Sequence, residues 1–131
     1  MIVDSSAVIA VLRNEPERER FVELLLDNSA QMSAANWLEA AMVADGSGHA
    51  AGSNFDRIVE AAEIDILPVT PAHARAARTA FRRYGRGSGS PARLNFGDCL
   101  AYALSAVSGE PLLFKGDGFS HTDVLQVTTD L

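Results

Sequence analysis

The chain opens Met1-Ile2-Val3-Asp4-Ser5-Ser6-Ala7-Val8-Ile9, and no other stretch restricts its fold as strongly. Three apolar, strand-capable residues run straight into a carboxylate and two hydroxyls. Residues 1–4 read as a short, fully buried strand. An apolar run over residues 7–12 follows with helical character, and Ser5 or Ser6 is available to cap it. Such a strand ends on an acid at the carboxyl edge of its sheet, where open α/β folds bind ligands.

The rest of the chain keeps alternating. Pro16 is placed to open a helix over residues 16–28, with Phe21, Leu24 and Leu25 on one face and Val22 and Leu26 beside it. That wide arc suits packing and, in part, a partner surface. Residues 31–33 form a weak strand, and residues 34–44 a helix on which Leu38, Met42 and Val43 share a face. Glu39 falls within that arc, and an acid among apolar neighbours needs a partner. Phe55, Ile58, Val59 and Ala62 make the stripe of another helix, followed by a third strand over residues 64–69. Pro71 opens a helix with Ala74, Ala77 and Phe81 facing inward and Arg75, Arg78 and Arg82 on another face. Residues 85–91 are a Gly/Ser-rich surface loop flanked by Arg83 and Arg93. Asn95 caps a helix that runs to about Val107, with Asp98 three residues on as an approximate capping box. Residues 112–114 and 124–127 supply a fourth and a fifth strand. The pattern predicts an α/β fold: one domain over residues 1–131, with a central, mostly parallel five-stranded sheet and helices on both faces.

Composition narrows the function. No apolar run approaches the ~20 residues of a membrane span, and a chain that starts directly on a strand is expected to carry no signal peptide. The lone Cys99 fits a reducing cytoplasm and the role of small core filler. The net charge of −6 argues against passive nucleic-acid binding. It leaves room for an enzyme whose acids are neutralised by divalent cations, and it suits a basic partner.

The predicted topology sets Asp4 and Asp117 just past two strand ends, Asp98 in the first turn of a helix, and Glu39 in a helix that follows a strand. Like charges brought together repel by several kcal/mol at about 4 Å, so a shared cleft needs a counter-ion. Hard oxygen ligands suit Mg²⁺ or Mn²⁺, and the lack of a Cys/His cluster argues against zinc. Such an ion activates water and stabilises charge on a phosphate in flight. Ser6 is placed to orient a carboxylate or a metal-bound water. Each acid also has a bland reading: helix cap for Asp4, macrodipole partner for Asp98, ion pair for Glu39, turn acid for Asp117. Lys115 is expected to pair with Asp117 or to reach a phosphate. Arg75, Arg78 and Arg82 are a solvated helix face or, with Arg86 and Arg93, a set of phosphate contacts for RNA. His121 reads as a solvated surface residue, and Trp37 as core or interface.

MIVDSSAVIAVL, NWLEAAMV, LNFGDCLAYALS and LLFKGDGFSHTDV, in that order, resemble the PIN-domain family, above all its VapC-type toxins of type II toxin–antitoxin systems. The resemblance covers essentially the whole chain. It implies a Mg²⁺- or Mn²⁺-dependent endoribonuclease that leaves a 5′-phosphate and a 3′-hydroxyl. It further implies inhibition by a cognate VapB-type antitoxin and, commonly, a homodimer. By motif, Asp4 and Asp98 match the acids that most directly bind metal, and Glu39 the third acid. Asp117 matches the fourth, with Asp123 in reserve, because many members carry an acidic pair where this chain reads Asp117-Gly118. Structured RNAs such as tRNA and rRNA, or mRNA, are the expected substrates. Two rivals fail on residues. A haloacid-dehalogenase-type phosphatase needs a second Asp where Ser6 stands, and a receiver domain needs a phosphoacceptor Asp that residues 64–70 do not supply at a strand end. A catalytically weak or inactive PIN-fold binding module remains the alternative.

Overall fold

The computed structural model describes residues 1–129. β1 (Ile2–Val3) leads into α1 (Ser5–Leu12) and α2 (Arg18–Asp27), followed by β2 (Gln31–Ser33), α3 (Ala34–Gly46) and α4 (His49–Ala61). Then come β3 (Asp65–Leu67), α5 (Pro71–Tyr84), α6 (Phe96–Ser108), β4 (Leu112–Leu113) and a 3₁₀ turn, Gly118–His121. The four strands form one parallel sheet in the order β3-β2-β1-β4.

Alternation along the central strands sorts side chains to two cores. Val3 and Leu113 face one core, with Val8, Val11, Phe21, Leu25 and Phe55 from α1, α2 and α4. Ile2 and Leu112 face the other, with Ala77, Ala80, Leu100 and Leu104 from α5 and α6. From β1 the chain steps outward to β2 and β3, then returns across the sheet to lay β4 on the other side of β1. The strand order therefore reverses at β1, and a cleft is expected at its carboxyl end.

Among the described residues the sheet has four strands, not five. Of the expected fifth, only a single parallel bridge forms, Leu112 to Gln126. It is made by Leu112 N–H to Leu125 O at 2.8 Å and Val127 N–H to Leu112 O at 3.1 Å. β4 is two residues long, and Leu113 turns its carbonyl to Asp4 N–H on the other side, so there is nothing further to extend a ladder.

Two helices face differently from the expected pattern. On α3 the buried residues are Asn36, Ala40 and Ala44, while Leu38, Met42 and Val43 are exposed. On α5 they are Ala77 and Ala80, and Ala74 and Phe81 face solvent. Small residues let these helices approach their neighbours closely, which leaves the large apolar ones outside. Trp37 is partly buried and packs on Phe55, with ring centroids 6.2 Å apart.

Candidate active site

Asp4 follows β1 directly and stays stitched to the sheet through its N–H to Leu113 O at 2.9 Å. It, rather than Ser5 or Ser6, caps α1: one carboxylate oxygen, Oδ2, accepts from Ser6 N–H at 3.0 Å. The residue is 3% exposed and its other oxygen, Oδ1, is buried with no hydrogen-bond partner among the described residues. Burial pushes this carboxyl up to about 7, opposed by the bonds from Ser6 and helped by the charges of Asp98 and Glu39. The cap reading and the ligand reading thus use different oxygens of one side chain.

Asp98 is set by the predicted capping box at the start of α6. Its Oδ2 accepts from Asn95 N–H at 3.0 Å, and Asn95 Oδ1 accepts from Asp98 N–H at 2.9 Å. Burial raises this carboxyl as well; the bond from Asn95 opposes it, Glu39 adds to it, and Arg86 offsets part of it. Glu39 comes from α3 and is half-buried, its Oε1 accepting a hydrogen bond from the Ser5 hydroxyl. Its carboxylate lies against the backbone of Gly97, where a Cβ would stand 2.4 Å from Oε2. Three acids, on the chain after β1, on α3 and on α6, therefore feel one another's charge at the carboxyl end of β1.

Neither serine side chain caps α1, and each has another partner. Ser5 orients the carboxylate of Glu39, while Ser6 supplies its N–H to Asp4 and its Oγ accepts from Lys115 N–H at 3.0 Å. Lys115 does not pair with Asp117. Its ammonium is held between Glu15 and Glu17, the latter at 3.1 Å, so it is not a free phosphate contact. Asp117 is not brought into the buried cluster. Its side chain is 92% exposed, with His121 Nε2 at 3.3 Å and Ser120 Oγ at 3.2 Å. Asp123 is engaged elsewhere, accepting from Tyr102 O–H and pairing with Arg83 at 3.5 Å. The Tyr102 bond holds its carboxyl below the usual range. Arg82, Arg86 and Arg93 are exposed. Arg86 N–H donates to Leu94 O at 3.1 Å, which closes the Gly/Ser loop and sets Arg86 beside the capping box of α6.

A PIN domain family model matches residues 1–125. The chain belongs to the PIN-domain family. Ribonuclease VapC28 of Mycobacterium tuberculosis is 47% identical over 126 residues, covering 95% of each chain. Ribonuclease VapC30 of the same organism is 43% identical over 129 residues, covering 97% of this chain and 98% of its own. The crystal structure of M. tuberculosis VapC20, described as a sarcin–ricin loop cleaving toxin, shares the fold. Its TM-score is 0.75 at 16% identity, over 96% of this chain and 97% of that one.

Among the described residues of this PIN domain no three His, Cys, Asp or Glu side chains form a ready-made cation cage. The donor set nevertheless fits a hard divalent ion. It offers carboxylate oxygens only, one of them buried and unpartnered on Asp4, in mutual repulsion that a cation relieves. Two residues absent from the sequence-based site belong to it. Ser5 holds Glu39, and the fully buried Asn36 donates from Nδ2 to Gly97 O at 2.9 Å. The sequence signal for Asn36 was its place one helical turn before Glu39. Gly118 also has a local reason: a Cβ there would stand 3.0 Å from Ala92 O, so a second acid would press on the neighbouring loop. Cys99 is core, as expected, its thiol pushed up to about 11 by burial and then by Asp98.

Proposed function

We propose that this PIN domain is a metal-dependent endoribonuclease toxin, acting on RNA phosphodiester bonds in the cytoplasm and silenced by a cognate VapB-type antitoxin. The observation that carries this is the unpartnered, buried Oδ1 of Asp4 beside two further carboxylates. Kinship with proteins named ribonucleases supports it. Asp4 and Asp98 would hold Mg²⁺ or Mn²⁺, with Glu39 directly or through water. The bound ion supplies an activated water and charge neutralisation at phosphorus. The chain's own part is preorganisation. Ser6 N–H, Asn95 N–H and the Ser5 hydroxyl each fix one carboxylate, so little reorganisation remains when substrate arrives. Arg86, on the rim, offers a charge to a flanking phosphate.

The test is cleavage of tRNA, rRNA and mRNA by partner-free protein with Mg²⁺ or Mn²⁺, its loss in chelator and its return with Mn²⁺. Sequencing the RNA ends then names the target. Silence on all of these with either ion would instead support an inactive PIN-fold binding module.

Arg86 and Arg93 give a second expectation. Replacing both with Ala should weaken RNA binding and flatten its dependence on salt, by about one unit of log–log slope for each phosphate no longer neutralised. An unchanged slope in a salt titration would return both to the solvated surface.

The exposed apolar residues support the proposed partners. Leu38, Met42, Val43 and Phe96 line a groove of about 370 Å³ that includes Glu39. An apolar segment carrying basic residues would satisfy groove and acids together, which suits an antitoxin. Val69, Phe81 and Phe96 border a second hollow of about 570 Å³, an apolar area that a second copy of the chain would cover in a homodimer. Among the described residues no helix is long and apolar enough to cross a membrane.

A further inference from the structure

Asn36 is 0% exposed, and its side chain bridges the two helices that carry Glu39 and Asp98. Its Nδ2 donates to Gly97 O at 2.9 Å, while its Oδ1 is buried with no partner among the described residues. Gly97 is the second residue of α6, and its carbonyl already has a helical acceptor role toward the residue four positions on. The bond from Asn36 is therefore an addition, not the repair of an orphaned group. An unpartnered amide oxygen in a core is costly, and an apolar residue of similar volume would avoid that cost. What an apolar residue could not supply is the tie itself.

The tie is placed where it matters for the acids. α3 grips Gly97 from two sides, through the Asn36 amide on its carbonyl and the Glu39 carboxylate over its Cα. The next residue is Asp98. Fixing Gly97 against α3 thus fixes the separation of Glu39 and Asp98, which sit on different helices and repel each other. We propose that Asn36 is a positioning residue whose bond to Gly97 sets the spacing of these two carboxylates and, through it, the affinity for a divalent cation. The inference rests on the metal-dependent reading above.

The experiment uses Asn36→Leu, which removes the donor and the unpartnered acceptor together, with Asn36→Ala as a second variant. Three quantities are read: the metal-free melting temperature, Mn²⁺ affinity by titration calorimetry, and the Mn²⁺ concentration at half-maximal RNA cleavage. Expected for Asn36→Leu are a melting temperature at or above the parent's and Mn²⁺ binding weakened about 10–100-fold, the range for removed support of a metal ligand. Half-maximal cleavage should move to higher Mn²⁺ by a similar factor, with much of the rate restored at saturation. A folded variant with parental Mn²⁺ affinity and parental metal dependence overturns the inference and leaves the metal reading intact. Failure of both variants to fold overturns it too, because Asn36 would then be a structural core residue. A parent that binds no Mn²⁺ removes the metal reading itself, and the inference with it.

Discussion

Asp4→Asn is expected to remove RNA cleavage while raising the melting temperature of the metal-free protein. The loss should be on the order of 10²–10³-fold or more, as for removal of one group that stabilises transition-state charge. The stability gain follows from the raised carboxyl. Its folded value of about 7 lies above the ordinary 3.8. Stability from this group is therefore fully present below about pH 3.8 and lost as pH rises through about 7. At pH 8 the parent holds a buried anion without a counter-ion, at a cost bounded by about 4 kcal/mol. Asn keeps the cap on Ser6 N–H about equally well and carries no charge. Melts in chelator at pH 8 should show the variant higher by about 5 °C or more. The difference should shrink toward pH 4, and added Mn²⁺ should stabilise the parent more than the variant. A variant that melts at or below the parent at pH 8 would show that Asp4 is accommodated as an anion by the protein alone.

Gly97→Ala should separate stability from activity in another way. The new methyl carbon would stand 2.4 and 2.7 Å from the oxygens of Glu39 and 2.8 Å from its carboxyl carbon. Glu39 is the flexible party, so its carboxylate, rather than the helix, should give way and leave the Ser5 hydroxyl. Alanine favours a helix over glycine by about 1 kcal/mol, which offsets the broken hydrogen bond. The variant is expected to unfold within about 1 kcal/mol of the parent yet to cleave RNA about 10–100-fold more slowly. Denaturant unfolding and cleavage rates on the same preparation decide it. Parental cleavage would mean that the position of Glu39 against α6 has no part in the chemistry.

The local signatures carried well from sequence to structure. A short apolar run ending on Asp4, and Asn95 three residues before Asp98, are written within a few neighbouring residues, and both placed their acids correctly. On α3 and α5 the pattern turns large apolar residues inward, and of the residues named for those two faces only Ala77 is buried. In these helices alanines meet the neighbours, and Leu38, Met42 and Phe81 are left outside. The acid of α3 is thereby no longer stranded in the core; it stands at the edge of an exposed apolar face. Lys115 could not be assigned from its own surroundings, since Glu15 lies 100 residues away. Asp117 keeps only one acid of the family's usual pair, and the motif fixes its place in the chain and not the direction of its side chain.

β1 has a further consequence in time. It precedes β2, β3 and β4 in the described chain, yet it lies between β2 and β4, and Ile2 N–H and Asp4 N–H donate to Pro111 O and Leu113 O. Asp4 thus comes well before the strand to which its N–H is bonded. The contacts that close over this acid span about 110 positions, so they are among the slowest to form by loop-closure entropy. A segment that ends before β4 thus lacks the acceptor of Asp4 N–H, and the cluster proposed to cut RNA is complete only once β4 has docked on β1.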